Sequence, residues 1–72
     1  MPKTYKVIKL AGTSPVSYDD AVKNAIATAH ETLRGLNWFE VLEHRGRMDD
    51  KGNIVEWQVV MEVAFKIERK KG

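Results

Sequence analysis

The sequence predicts an α+β fold of βαββ order, a three-stranded antiparallel or mixed sheet packed on one helix. Three observations carry this. Val55, Trp57, Val59, Met61, Val63, Phe65 and Ile67 are apolar at period two, the mark of a long strand with one covered face. Tyr18, Ala21, Val22, Ala25, Ile26, Ala29, Leu33 and Leu36 recur at helical spacing. The run Asp49-Asp50-Lys51-Gly52-Asn53 separates two strand-like stretches and reads as a hairpin turn.

The elements follow in order. Residues 3–11 alternate and carry Tyr, Val and Ile, so they form a first strand, which Gly12-Thr13-Ser14-Pro15 breaks. Ser14 or Ser17 caps a helix over about 16–34, with Asp19 and Asp20 at its positive end. Arg34 suits the negative end, and Gly35 suits the position after it. A second strand covers 37–48 and a third covers 54–68. The helix lets the first two strands run parallel. The hairpin turns the third antiparallel to the second, and as the most apolar strand it belongs between the others.

The 72 residues make one domain, 1–72. A chain this short buries only about 60% of its unfolded surface, and one core supplies roughly 3–5 kcal/mol. There is no cysteine, so disulfides and thiolate chemistry are excluded and the remaining staples are oligomerisation or a ligand. The net charge of +2, with both signs interspersed, gives no footprint for nucleic acid. The basic run Arg69-Lys70-Lys71 reads as a solvated end. No stretch approaches the roughly 20 apolar residues of a membrane helix, and no secretory signal opens the chain, so a cytoplasmic location is expected.

One helix cannot cover both faces of the sheet. If Phe39 and Val41 face the helix, then Trp38, Glu40, Leu42, His44, Gly46 and Met48 face away. Ile54, Glu56, Gln58, Val60, Glu62, Ala64 and Lys66 do the same on the third strand. An uncovered tryptophan among aliphatics suggests a partner or ligand surface. Pairing about the turn puts Gln58 across from residues 44–45 and Trp38 across from 64. The two are then about 20 Å apart at about 3.4 Å per residue. A small ligand touching both draws them from different subunits, or the sheet is strongly bent.

Gly12-Thr13-Ser14, Leu36-Asn37-Trp38-Phe39-Glu40-Val41, Arg45-Gly46, Gln58-Val59 and Val63-Ala64-Phe65, in this order, resemble the dodecins over residues 3–67. The resemblance implies a hollow homododecamer with flavins held in pairs between subunits. It implies that Trp38 stacks on the isoalloxazine and that Gln58 bonds its polar edge. It makes Arg45 the counterpart of an arginine of the bacterial FMN-binding type, with riboflavin or FAD as alternatives. Some members also hold coenzyme A through basic residues, for which Lys6, Arg34 and Lys66 are the candidates. Asn37 departs from the aspartate frequent in the family.

The residue types suit that chemistry. Indole is an electron-rich stacking surface, and offset stacking is worth about 0.5–1.5 kcal/mol beyond burial. An amide donates and accepts, and an arginine can grip a phosphate with two bonds. Plainer readings stand beside these. Trp38 can be a subunit contact, Trp57 core, Gln58 a solvated strand residue, and Arg45 and Arg47 partners in ion pairs with Glu40, Glu56 or Glu62. His30 and His44 lack spaced ligand partners, so no metal site is expected. No nucleophile and base are paired, so no enzyme is expected. The expectation is flavin storage or buffering without catalysis; the alternative is an oligomeric module for coenzyme A or another nucleotide.

Overall fold

The computed structural model describes residues 2–67. The basic run Arg69-Lys70-Lys71 and the expected last residue of the third strand, 68, lie outside them. The order is β1 (Tyr5–Ser14), α1 (Tyr18–Thr32), β2 (Leu36–Met48) and β3 (Ile54–Lys66). The sheet order is β1-β3-β2, and both pairings are antiparallel. β1 and β2 therefore run parallel without touching, as the sequence implied.

β1 continues through the expected break. Gly12, Thr13 and Ser14 pair with Val59, Gln58 and Trp57, because β3 is long enough to offer partners there. The buried Ser14 hydroxyl then closes the turn into the helix. It donates to Asp20 Oδ2 at 2.6 Å and accepts from the Val16 amide at 2.9 Å. Ser17 is the N-cap, its side chain accepting from the Asp20 amide at 3.0 Å. α1 is shorter than expected: Leu33 is already extended, and its N–H closes the last turn on Ala29 O at 2.9 Å. Arg34 thus lies beyond the helix end, and Gly35 follows with a φ of +75°.

Ala21, Ala25 and Ala29 form the buried face of α1, and Ala21 and Ala25 are set against Val59, Met61 and Val63 of β3. Three alanines let the helix come close. The approach is tightest at Gly12, where a Cβ would strike the Ala21 carbonyl oxygen and lie 2.8 Å from the Ala25 methyl. α1 packs on β1 and β3, so the helix side of β2 is poorly covered. Phe39 pairs with Val63 on that side as expected, yet 47% of it is exposed.

β2 contains irregularities that alternation did not anticipate. Val41 pairs with Met61, but Glu43, not Leu42, is the next paired residue, opposite Val60. This bulge at Leu42 adds one residue and reverses the facing of everything after it. His44 and Gly46 therefore lie on the helix side, not away from it, opposite Val59 and Trp57. A further shift pairs Met48 with Ile54, and both line a pocket with Tyr18, Gly46 and Trp57, so they too leave the outer set.

The radius of gyration is 15.3 Å, against about 11 Å for a compact domain of this length. The exposed surface is 5804 Å², against about 4,500 Å² for a compact monomer of this mass. The two 13-residue strands of the β2–β3 hairpin, at about 3.4 Å per residue, outreach the 15-residue helix at about 1.5 Å per residue, so the hairpin extends as an arm beyond it. At its tip Asp49 Oδ1 accepts from the Lys51 and Asn53 amides, each at 2.9 Å, and Oδ2 from Asn53 Nδ2 at 3.2 Å. These bonds, the Asn53 amide foremost, hold the Asp49 carboxyl below its usual range.

Candidate functional site

The outer face of the sheet carries an aromatic group and a polar group, with the charged row Lys9, Glu62 and Glu40 between them. The first is aromatic. Trp38 on β2 lies across from Ala64, and Tyr5 on β1 lies across from Lys66. Their rings meet across β3 with centroids 4.7 Å apart and planes inclined at 57°. Ala64 is 0% exposed although it faces away from the helix, because Val7 and Trp38 flank it and the two rings close over it. Trp38 itself stays 48% exposed. A half-bare indole with one neighbour is a stacking surface still open to a second ring.

The second group is polar and depends on the bulge. Past Leu42, the residues facing outward are Glu43, Arg45 and Arg47. Arg45 lies opposite Gln58, and Arg47 opposite Glu56. Arg45 Nε donates to Gln58 Oε1 at 3.2 Å, and Gln58 Nε2 donates to Glu56 Oε1 at 2.6 Å. Arg47 Nε donates to the same Glu56 oxygen at 3.0 Å, and Arg45 Nη1 pairs with Glu43 at 3.5 Å. The bond from Gln58, then that from Arg47, holds the Glu56 carboxyl below its ordinary value. The ion-pair reading of the two arginines is therefore correct for Glu56, but Glu43 is the other partner in place of Glu40 and Glu62. Both ends of the Gln58 amide are engaged, which fixes its orientation.

The three basic candidates gather at the aromatic end. Arg34 and Lys66 line one open groove of about 500 Å³ with Gly35, Phe65 and Ile67, and the Lys66 amide donates to Gly35 O at 3.0 Å. Lys6 pairs with Phe65, so its side chain starts from the sheet face opposite to that of Lys66. The six candidates thus fall into two sets: Trp38 near Lys66, Arg34 and Lys6, and Gln58 with Arg45. Ala64 lies six positions along β3 from Gln58, about 20 Å of strand and longer than a three-ring isoalloxazine. The pocket beside Trp38, lined by Ile26, Leu36, Asn37, Phe39 and Val63, holds only about 180 Å³. Enclosing ligand sites usually hold about 300–1,000 Å³.

Tyr5 was not singled out by the sequence. Its role depends on the register of β1 on β3, a pairing of residues some 60 apart that no local pattern encodes. On the helix side, Tyr18 contacts His44 and Trp57 edge-on, each at 4.9 Å between centroids. Among the described residues no three His, Cys, Asp or Glu side chains are gathered as a metal site, and no helix is long and apolar enough to cross a membrane.

This fold, with an open stacking surface at one end and a buttressed amide–guanidinium pair at the other, defines a small binding protein of βαββ type. The family model named Dodecin matches residues 4–68. The dodecin of Thermus thermophilus is 47% identical over 68 residues, covering 94% of this chain and 97% of that one. A dodecin structure from Streptomyces davaonensis superposes with a TM-score of 0.90 at 45% identity, covering 96% of this chain and all of its own. The calcium dodecin of Mycobacterium tuberculosis is 33% identical over 63 residues, 88% of this chain and 87% of that protein. Its crystal structure, described as having a novel calcium-binding site, has a TM-score of 0.79 at 30% identity, covering 96% and 97%. The chain belongs to the dodecin family.

Proposed function

We propose that this protein is a non-catalytic, cytoplasmic flavin-storage or buffering protein. Its subunits assemble as a homododecamer and stack FMN on Trp38 at the contacts between them. The observation that carries this reading is the half-exposed Trp38 on the uncovered face of a subunit too extended to satisfy itself. The distance to Gln58 and Arg45 supports a site shared between subunits. One chain supplies the indole, and another supplies the amide for the flavin edge and the guanidinium for the phosphate. Riboflavin, lacking the phosphate, would forgo the arginine. Stacking against an electron-rich indole returns the excited flavin to its ground state by electron transfer, which suits protection and storage.

The test is a titration of FMN with the protein, followed by flavin fluorescence. The expected result is strong quenching and an assembly of roughly 100 kDa, twelve copies of 8.2 kDa. A Trp38→Ala variant should assemble but lose most of its affinity; unchanged affinity would overturn the assignment.

Arg34 and Lys66, which line one groove, favour a second reading, in which phosphates of coenzyme A bind there, with Lys6 at the same end but on the other face. Adding coenzyme A to the FMN-loaded protein separates the two, since a ligand held at that groove binds without releasing the quenched flavin. Calcium gains no support among the described residues, where no cluster of metal-binding side chains forms.

A further inference from the structure

We infer that Tyr5 is a positioning residue of the flavin site, acting through Trp38; this rests on the proposed role of Trp38 as the stacking residue. Trp38 stands on the edge strand β2, nearly half exposed, with no side-chain hydrogen bond recorded among the described residues. An indole so placed has two freely rotating torsions unless something packs against it. Tyr5 reaches it from the opposite edge strand, with centroids 4.7 Å apart at 57°. Its register is one pleat nearer the end of the sheet, at Lys66 rather than Ala64. It therefore covers Trp38 from that end and leaves the side toward the middle of the sheet uncovered by Tyr5.

Two consequences follow. The indole is held in one orientation before any ligand arrives, so less freedom is lost on binding. One flank of Trp38 is also taken by an aromatic ring that belongs to the same subunit. A planar ligand is directed to the remaining side, with a single stacking geometry. The contact is of ring against ring. The hydroxyl contributes nothing to it, so phenylalanine should replace tyrosine here.

The experiment compares Tyr5→Ala, Tyr5→Phe and Trp38→Ala with the parent by FMN titration. Size-exclusion chromatography checks assembly, and the residual fluorescence of bound FMN reports how closely indole and flavin stack. Tyr5→Ala should assemble normally, bind FMN about 3- to 10-fold more weakly, and leave the bound flavin brighter. Tyr5→Phe should restore both values. Parent-like affinity and quenching in Tyr5→Ala, with Trp38→Ala still inactive, would overturn the inference while leaving the flavin site standing. Parent-like binding in Trp38→Ala would instead remove the reading on which it rests. If Tyr5→Ala fails to assemble, a Tyr5→Leu variant, which keeps apolar bulk without a ring, decides the matter by the same two readouts.

Discussion

Gly12 is where one methyl group should do most damage. In Gly12→Ala the new Cβ would overlap the Ala21 carbonyl oxygen and lie 2.8 Å from the Ala25 methyl. The carbonyl is helix backbone and cannot swing aside like a long side chain. α1 must lift from β1 by several tenths of an ångström, which loosens Ala21 and Ala25 against Val59 and Met61. Overpacking of this kind costs about 1–3 kcal/mol. At about 4–8 °C per kcal/mol for a domain this small, the melting temperature should fall by roughly 5–20 °C. The assay is thermal unfolding followed by far-UV circular dichroism at one fixed protein concentration, because assembly makes the midpoint concentration-dependent. Adding Ala25→Gly removes the methyl contact but not the carbonyl contact, and a glycine within a helix costs about 1 kcal/mol, so it should recover little. A parent-like midpoint for Gly12→Ala, or full recovery in the double variant, would refute the argument from the carbonyl.

Two further outcomes are expected. Ser17→Ala removes the N-cap bond to the Asp20 amide and should cost about 1 kcal/mol, read as a lower denaturation midpoint in urea. Acid should loosen the hairpin: Asp49 and Glu56 have depressed folded pKa values, so the unfolded chain takes up protons first. Their stabilisation is complete above the ordinary carboxylate range and disappears as pH falls below about 4, through the lower folded values. Protection of the Lys51 and Asn53 amides, measured as exchange relative to the intrinsic rate at each pH, should fall there and stay constant between pH 6 and 8; protection lost from near neutrality would exclude these carboxylates as the cause.

The helix face, the strand order and the inward row on β3 were legible because each rests on a local periodicity. The pairing of Trp38 with Ala64 and of Arg45 with Gln58 followed from counting back from the turn. The count put Gln58 across from residues 44–45, but the facing of the β2 residues after Leu42, Arg45 included, came out reversed. A signal was present: the charged positions change phase, from Glu40 to Glu43, Arg45 and Arg47, and an inserted residue is the simplest way to keep all four in water. The exposure of Phe39 was hidden for another reason. Alternation tells which side a residue faces, not whether the helix extends over it. Tyr5 was hidden because β1 meets β3 only after the whole chain has folded back. Of the site, residue types and faces were readable for Trp38 and Gln58, and the roughly 20 Å between them followed from the count; the outward face of Arg45 was not readable, because it depends on the bulge at Leu42.

The roughly 20 Å of strand between the positions of Trp38 and Gln58 also bears on behaviour in dilute solution. On the proposed reading, a dispersed subunit carries only half of two different sites. Ligand uptake and subunit association then become linked equilibria, each pulling the other forward by mass action. Flavin should hold the shell together against dilution, and a shell that comes apart should release its contents. The cargo would act as mortar, and its discharge would be governed by the fate of the container.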